Sequence, residues 1–204
     1  MANLKLNIIT MLGGFSKETL PKIFESLDRS PYGPYIIKLT GPGGMVNTML
    51  TVADILASYD VPVTIISRGV NGSANARFPH TSDFIRLCYP SSKFVFHSST
   101  FGSNGTIEAI EDKYENAKAT IEGKLSCFAK HFGITKRQAA KYNNHEFAVN
   151  AEDALNTGTK GIVDGIIIKD FGDGRYLIKT RNGNKLMDAK IHRRGDLADL
   201  PVHL

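Results

Sequence analysis

The stretch that most constrains this chain is Val61 to His97, VPVTIISRGVNGSANARFPHTSDFIRLCYPSSKFVFH. VPVTII is a β-branched, apolar run, and such a run marks a strand covered on both faces, hence a sheet inside the molecule with other layers packed on it. The small residues Gly69, Val70, Asn71, Gly72, Ser73, Ala74, Asn75 and Ala76 follow. They suit a tight strand-to-helix turn that lifts the Ser73 side chain and leaves backbone N–H groups beside it. A helix N-terminus of that kind favours anions, including the oxyanion of an acyl-transfer intermediate. A second strand, SKFVFH, ends in His97. One serine and one histidine at the ends of two strands are suitable residue types for a nucleophile and its general base. Taken singly, the same residues also fit duller roles, a serine capping a turn and a histidine hydrogen-bonded at the surface. The turn departs from the G-x-S-x-G nucleophile elbow, because Asn75 stands where the last glycine belongs.

Upstream, LKLNIITML reads as a first strand. Ser16 and Thr19 then precede an apolar stripe of Leu20, Ile23, Phe24 and Leu27, the spacing of an amphipathic helix ending near Asp28. YIIKLT is a second buried strand leading into Gly41, Pro42, Gly43 and Gly44, which open the helix MVNTMLTVADILASY. Strand, helix, strand in this order predicts a parallel βαβ unit, whose ligand site lies beyond the strand C-termini. After Ser73, the run Arg77, Phe78, Pro79, His80 includes a proline expected to end the serine's helix and send the chain into a solvated loop. Residues 106–132 hold the longest helical pattern: Ile107, Ile110, Tyr114, Ala117, Ile121, Leu125 and Phe128 step by three or four with charges between. One stripe on so long a helix needs a partner, either its own domain or another copy. Asn150 with Asp153 three residues on is a helix start signal. Past residue 168, GDG and NGN separate alternating apolar and charged runs, which predicts a β-hairpin extension over 169–204 with a basic, solvated face.

With 204 residues, 42% hydrophobic and 22% charged, the chain is long enough for one sizeable core. No composition shift marks a second unit before about residue 169, so residues 1–168 read as one domain. Only Cys88 and Cys127 occur, each within an apolar segment, which argues against a disulfide framework and for a cytoplasmic protein. The apolar part of MANLKLNIITMLGG is too short and too interrupted for a signal peptide or membrane span. Net charge is +5, but basic residues concentrate only in the last 40, which gives nucleic-acid binding little support.

Residues 35–168 resemble the proteolytic subunit of the Clp protease family, within the larger Clp/crotonase fold. The family's strand, SPGG turn and helix correspond to YIIKLTGPGG and MVNTMLTVADILASYD, and its strand ending in G-x-A-A-S to VPVTIISRGVNGS. Its histidine strand corresponds to SKFVFH, its peptide-flanking Gly-rich segment to SSTFGSNGT and its long helix to 106–132. Its A-x-E-A and GLVD segments correspond to HEFAVNAEDAL and GIVDGII. Gly44 precedes Ser73 by 29 residues, the family spacing. The resemblance implies an α/β fold, a Clp/crotonase-like repeated β-β-α superhelix with a protruding handle helix. It implies an ATP-dependent Clp-type serine endopeptidase that cleaves peptide or unfolded-protein substrates through an acyl-enzyme, assembles as a homo-oligomeric ring and needs no cofactor or metal. Ser73 would be the nucleophile and His97 the base, with the Gly44 and Ala74 N–H groups as oxyanion hole.

The third catalytic position departs from the family. Counting on from His97 without a gap, through HFGIT, puts Glu146 where the family aspartate stands, whereas anchoring on Phe147 selects His145, with Asn144 beside it. Glu146 is the reading adopted, because it needs no gap and its carboxylate can orient an imidazole. His97 also follows Ser73 by 24 residues, one fewer than the family spacing. The chain begins at the family's first strand, without the axial loop that precedes it, so an AAA+ unfoldase partner stays an open expectation. Two other readings stand beside the peptidase. A non-catalytic ring subunit would suit the altered third residue and Pro79, and a crotonase-type acyl-CoA enzyme would need neither Ser73 nor His97.

Overall fold

Period-two alternation sorts the central strands between two cores. In β2 (Tyr35–Gly41), Tyr35, Ile37 and Leu39 face one side and Ile36 the other. In β3 (Val63–Gly72), Val63 and Ile65 share the first side and Ile66 the second. The computed structural model describes residues 5–28, 32–98, 104–144 and 146–203, with the backbone alone at 120, 121, 124, 143 and 144. β1 (Asn7–Leu12), β2, β3 and β4 (Ile85–Cys88) run parallel, with α1 (Thr19–Asp28) and α2 (Val46–Ser58) as crossovers. β7 (Gly165–Asp170) continues the sheet beside β4, and β8 (Arg175–Thr180) and β9 (Gly183–Asp188) extend it antiparallel.

β3 changes neighbour along its length. Thr64 to Ser67 pair with β4, while Val70 to Gly72 pair with β5 (Lys93–Phe96). β5 in turn pairs antiparallel with β6 (Phe147–Asn150). This exchange brings the end of β3, where α3 (Ser73–Arg77) begins, beside the end of β5.

Three apolar clusters hold these elements. The first packs α1 and α2 on β1 to β3, with Phe15, Phe78 and Phe84. The second gathers Phe94, Phe96 and Val149 of β5 and β6 with Phe128 and Phe132 of α4 (Ile107–Phe132) and Ala154 and Leu155 of α6 (Ala151–Asn156). Truncating a buried phenylalanine such as Phe132 to alanine costs about 3–5 kcal/mol. In the third, Tyr176, Ile178 and Met187 of the hairpin cover Ile36, Ile66, Ile85 and Leu87. β7 runs through residue 168, and the hairpin contributes core as well as a charged outer face.

Local signals act as their chemistry predicts. Thr106 caps α4 by accepting the Ala109 N–H, and Gly133 closes it at φ +63° with its N–H to the Ala129 carbonyl. Asn150 caps α6 by accepting the Asp153 N–H at 2.9 Å. Along α4 only the C-terminal part of the stripe is covered: Phe128 and Phe132 are buried, while Ile107 and Tyr114 are exposed. The Ile121 side chain lies outside the described residues, as does most of SSTFGSNGT. No helix among the described residues is long and apolar enough to cross a membrane.

The segment after α3 corrects the sequence reading. Pro79 does end that helix after five residues, but the chain enters a 3₁₀ turn, Phe78–His80, that is buried, not a solvated loop. The reason is the partners it meets: Phe78 packs on Phe15 and Phe84, with ring centroids 5.1 and 6.1 Å away, and the His80 ring meets Arg86 and Phe132.

Candidate active site

Ser73 is held at φ +50°, the left-handed region that a non-glycine residue enters only where its surroundings enforce it, at a cost of about 1–3 kcal/mol. The enforcing groups are the GPGG turn and α3 itself. Gly43 has φ +119°, and a Cβ on it would lie 2.6 Å from Ser73 Cβ and 2.9 Å from the Ala74 nitrogen, so only glycine lets the two turns approach this closely. The turn is bolted down by Phe15: its N–H donates to Gly43 O and its carbonyl accepts the Met45 N–H, both at 2.7 Å. The Gly44 N–H takes part in neither bond. Ala74 is the second residue of α3, among the N–H groups that a helix start leaves without intrahelical acceptors. Asn75, buried, ties this start to the end of β1 by donating from Nδ2 to Gly13 O at 2.8 Å.

His97 follows β5 by one residue. Arg77, at the end of α3, is almost fully buried and donates from Nη2 to the His97 carbonyl at 2.6 Å, fixing the chain at the imidazole. Its guanidinium also lies over the Phe128 ring, 5.3 Å from the centroid. Burial lowers the Arg77 pKa from its ordinary value. His97 Nδ1 lies 2.6 Å from the Ser98 carbonyl, an acceptor, so Nδ1 carries the proton and Nε2 is left as the basic nitrogen.

Glu146 stands immediately before β6, and the antiparallel register pairs Phe96 with Phe147. The paired register ends there, so His97 and Glu146 are each the residue just beyond a strand end. Phe94 and Phe96 are buried, whereas Glu146 is exposed. Among the described residues, no hydrogen bond joins Ser73 to His97 or His97 to Glu146. His145 lies outside the described residues, and Asn144 closes α5 (Lys136–Asn144).

A cavity of about 300 Å³ lies between α2 and α4. It is lined by Val46, Met49 and Leu50 of α2, by Arg77 and His80, and by Cys127 and Phe128 of α4. His80 is buried against Phe132, and its pKa is depressed well below the ordinary histidine value by burial and by the nearby Arg86, His131 and Arg194 charges.

Sequence reasoning named Ser73, His97 and Glu146 with Gly44 and Ala74, and missed the contacts that hold Ser73 and His97 in place. The Gly43 contact with Ser73 and the Arg77 bond to His97 are long-range. For Arg77 a signal existed: it lies four residues after Ser73, one helical turn on. Among the described residues no group of three His, Cys, Asp or Glu side chains is placed to hold a metal ion.

The Clp protease family model matches residues 4–170 of the chain. A curated relative, the ATP-dependent Clp protease proteolytic subunit 2 of Gluconobacter oxydans (strain 621H), is 26% identical over 128 residues. The alignment covers 61% of this chain and 57% of the relative, so the chain spans little more than half the length of the protein it matches.

Proposed function

The chain belongs to the Clp protease family, and from that premise we propose that it is a serine endopeptidase whose nucleophile is Ser73. Ser73 Oγ attacks the scissile carbonyl, His97 Nε2 takes its proton and later delivers it to the leaving amine, and water then hydrolyses the acyl-enzyme. Glu146 stabilises the imidazolium from across the β5–β6 ribbon. The Gly44 and Ala74 N–H groups hold the oxyanion as it develops. The observation that carries this reading is the convergence of three strand ends. The turn after β2, Ser73 after β3 and His97 after β5 meet at one place, with Ser73 forced into the left-handed region against Gly43. The cavity between α2 and α4 receives the side chain that precedes the scissile bond, with Arg77 and His80 as its polar wall.

The exposed Ile107 and Tyr114 on α4 support a handle that packs against another copy in a homo-oligomeric ring. Residues 1–168 form the peptidase part and 169–204 the extension. Peptides or unfolded proteins in the cytoplasm are the substrates.

The test is labelling of the full chain with a fluorophosphonate probe. Ser73 should be the modified residue, and His97→Ala should abolish the reaction. A folded, assembled sample that takes no label overturns the peptidase reading. It would favour a non-catalytic ring subunit, the reading that the unmade Ser73–His97 hydrogen bond supports.

A further inference from the structure

At the seam between the matched core and the C-terminal hairpin lies a second cavity, of about 390 Å³, within the range of small-molecule sites. It is remote in chemistry from the Ser73 turn: cations line it. Lys160 comes from the loop after α6, Arg181 from the β8–β9 turn, Lys185 from β9 and Arg194 from the 3₁₀ turn behind the hairpin. The carboxylates in the lining, Asp83 and Asp164, are already engaged. Arg194 bonds Asp83 at 3.0 Å and Asp164 at 3.1 Å, and Arg86 bonds Asp164 at 2.5 Å.

Lys185 is the informative residue. It is only 3% exposed, yet its ammonium meets no carboxylate: Nζ donates to the Leu197 and Ala198 carbonyls, each at 2.8 Å. An ammonium has three donors, so one N–H remains without an acceptor among the described residues. Capping two carbonyls explains the two bonds made but does not balance a buried positive charge, which proteins normally pair. Arg181 shows the same excess, its guanidinium donating to the Leu155, Gly158 and Thr157 carbonyls and to no anion. The exposed Lys160 ammonium has no partner among the described residues. Three positive charges from three separate elements thus line one cavity, and among the described residues none of them is bonded to a carboxylate.

We propose that this cavity binds a small phosphate-bearing molecule. A phosphate monoester carries up to two negative charges, and its oxygens accept donors from several directions at once, which fits cations arriving from a loop, a turn and a strand. A carboxylate brings one charge and two coplanar oxygens, and would answer only one or two of them. A volume of about 390 Å³ suits a small molecule.

The test uses the full chain and inorganic phosphate as probe, with sodium chloride at matched ionic strength as control and acetate as the carboxylate arm. Phosphate should raise the melting temperature saturably, as a ligand that binds only the folded state does, while acetate at the same concentration should not. Lys160→Ala removes an exposed side chain that makes no bond and should fold normally while weakening phosphate at least tenfold in calorimetric titration. Lys185→Met should abolish binding; if it does not fold, Lys160→Ala alone decides. No saturable effect of phosphate, an equal effect of acetate, or unchanged affinity in Lys160→Ala overturns the proposal.

Discussion

Gly43→Ala is the sharpest test of the Ser73 turn, because it alters no group assigned a chemical role. Two costs can be separated. Alanine at φ +119° is strained by about 1–3 kcal/mol wherever it occurs. At Gly43 the new methyl would also lie 2.6 Å from Ser73 Cβ, 2.7 Å from Gly72 O and 2.9 Å from the Ala74 nitrogen, about 1 Å inside ordinary contact. Backbone lines two of these three contacts, so the turn as a whole must give way. A misplacement of about 1 Å at reacting groups costs on the order of 10²-fold in rate. Gly172→Ala is the control: it has φ +80°, with nothing within 4 Å of the added methyl. Gly172→Ala should lose only the strain by thermal melting, and Gly43→Ala the strain plus the cost of the clash. Only Gly43→Ala should slow fluorophosphonate labelling, by about 10²-fold relative to the unaltered chain. Labelling of a folded Gly43→Ala within threefold of the unaltered rate would refute the claim that Gly43 sets the position of Ser73.

Arg77→Met should keep much of the packing on Phe128 while losing the bond to the His97 carbonyl, and should reduce labelling about tenfold with little change in oligomeric state. Glu146→Gln should slow peptide hydrolysis by about 10²-fold, the low end for neutralising a triad carboxylate, since the Ser98 carbonyl already holds Nδ1; an unchanged rate rejects Glu146 as the third residue. Burial of the His80 imidazole, reinforced by the Arg86, His131 and Arg194 charges, holds its folded pKa well below its unfolded value near 6.5. The unfolded chain therefore binds the extra proton first, and stability present above about pH 6.5 falls below it, by up to about 1.4 kcal/mol per pH unit. Thermal melting from pH 7.5 to 5.5 should show a slope that His80→Gln reduces. Burial, with the Glu152 charge second, pushes the Cys88 thiol up to about 12, so a disulfide reagent at pH 8 should leave Cys88 unmodified until the chain is denatured.

What could be read from the residues, and what could not, divides by the range of the interactions. β2 and β3 announce themselves because both faces are apolar, and the helices with stripes and caps follow from local chemistry. β4 escapes because four residues, IRLC, carry an arginine whose partner, Asp164, lies 78 positions away. α5, KRQAAKYNN, buries little beyond Ala139 and so has no stripe to find. β6 is four residues that read as the approach to the Asn150 cap, and only its antiparallel pairing with β5 makes it a strand. At the site, family resemblance picked out positions. The strain at Ser73 and the grip of Arg77 on His97 are tertiary facts with no local signature.

The same division explains why the segment beyond the family match bears on the helix that begins at Ser73. Arg194 bonds Asp164, Asp164 bonds Arg86, and Arg86 Nη1 meets His80 Nδ1 at 2.9 Å. A guanidinium has no acceptor, so His80 Nδ1 must accept and the ring proton must sit on Nε2, the buried nitrogen left without a partner. A proton added at Nδ1 would point at the guanidinium and break that bond, which is why the neutral ring is the stable form. His80 ends the 3₁₀ turn continuous with α3, and α3 starts at Ser73 and ends at Arg77, which holds His97. The charge pairs that begin in residues 169–204 thus end on the turn that continues α3, the helix running from Ser73 to Arg77. The hairpin's own apolar residues, Tyr176, Ile178 and Met187, seal the opposite face of β4, over Ile85 and Leu87.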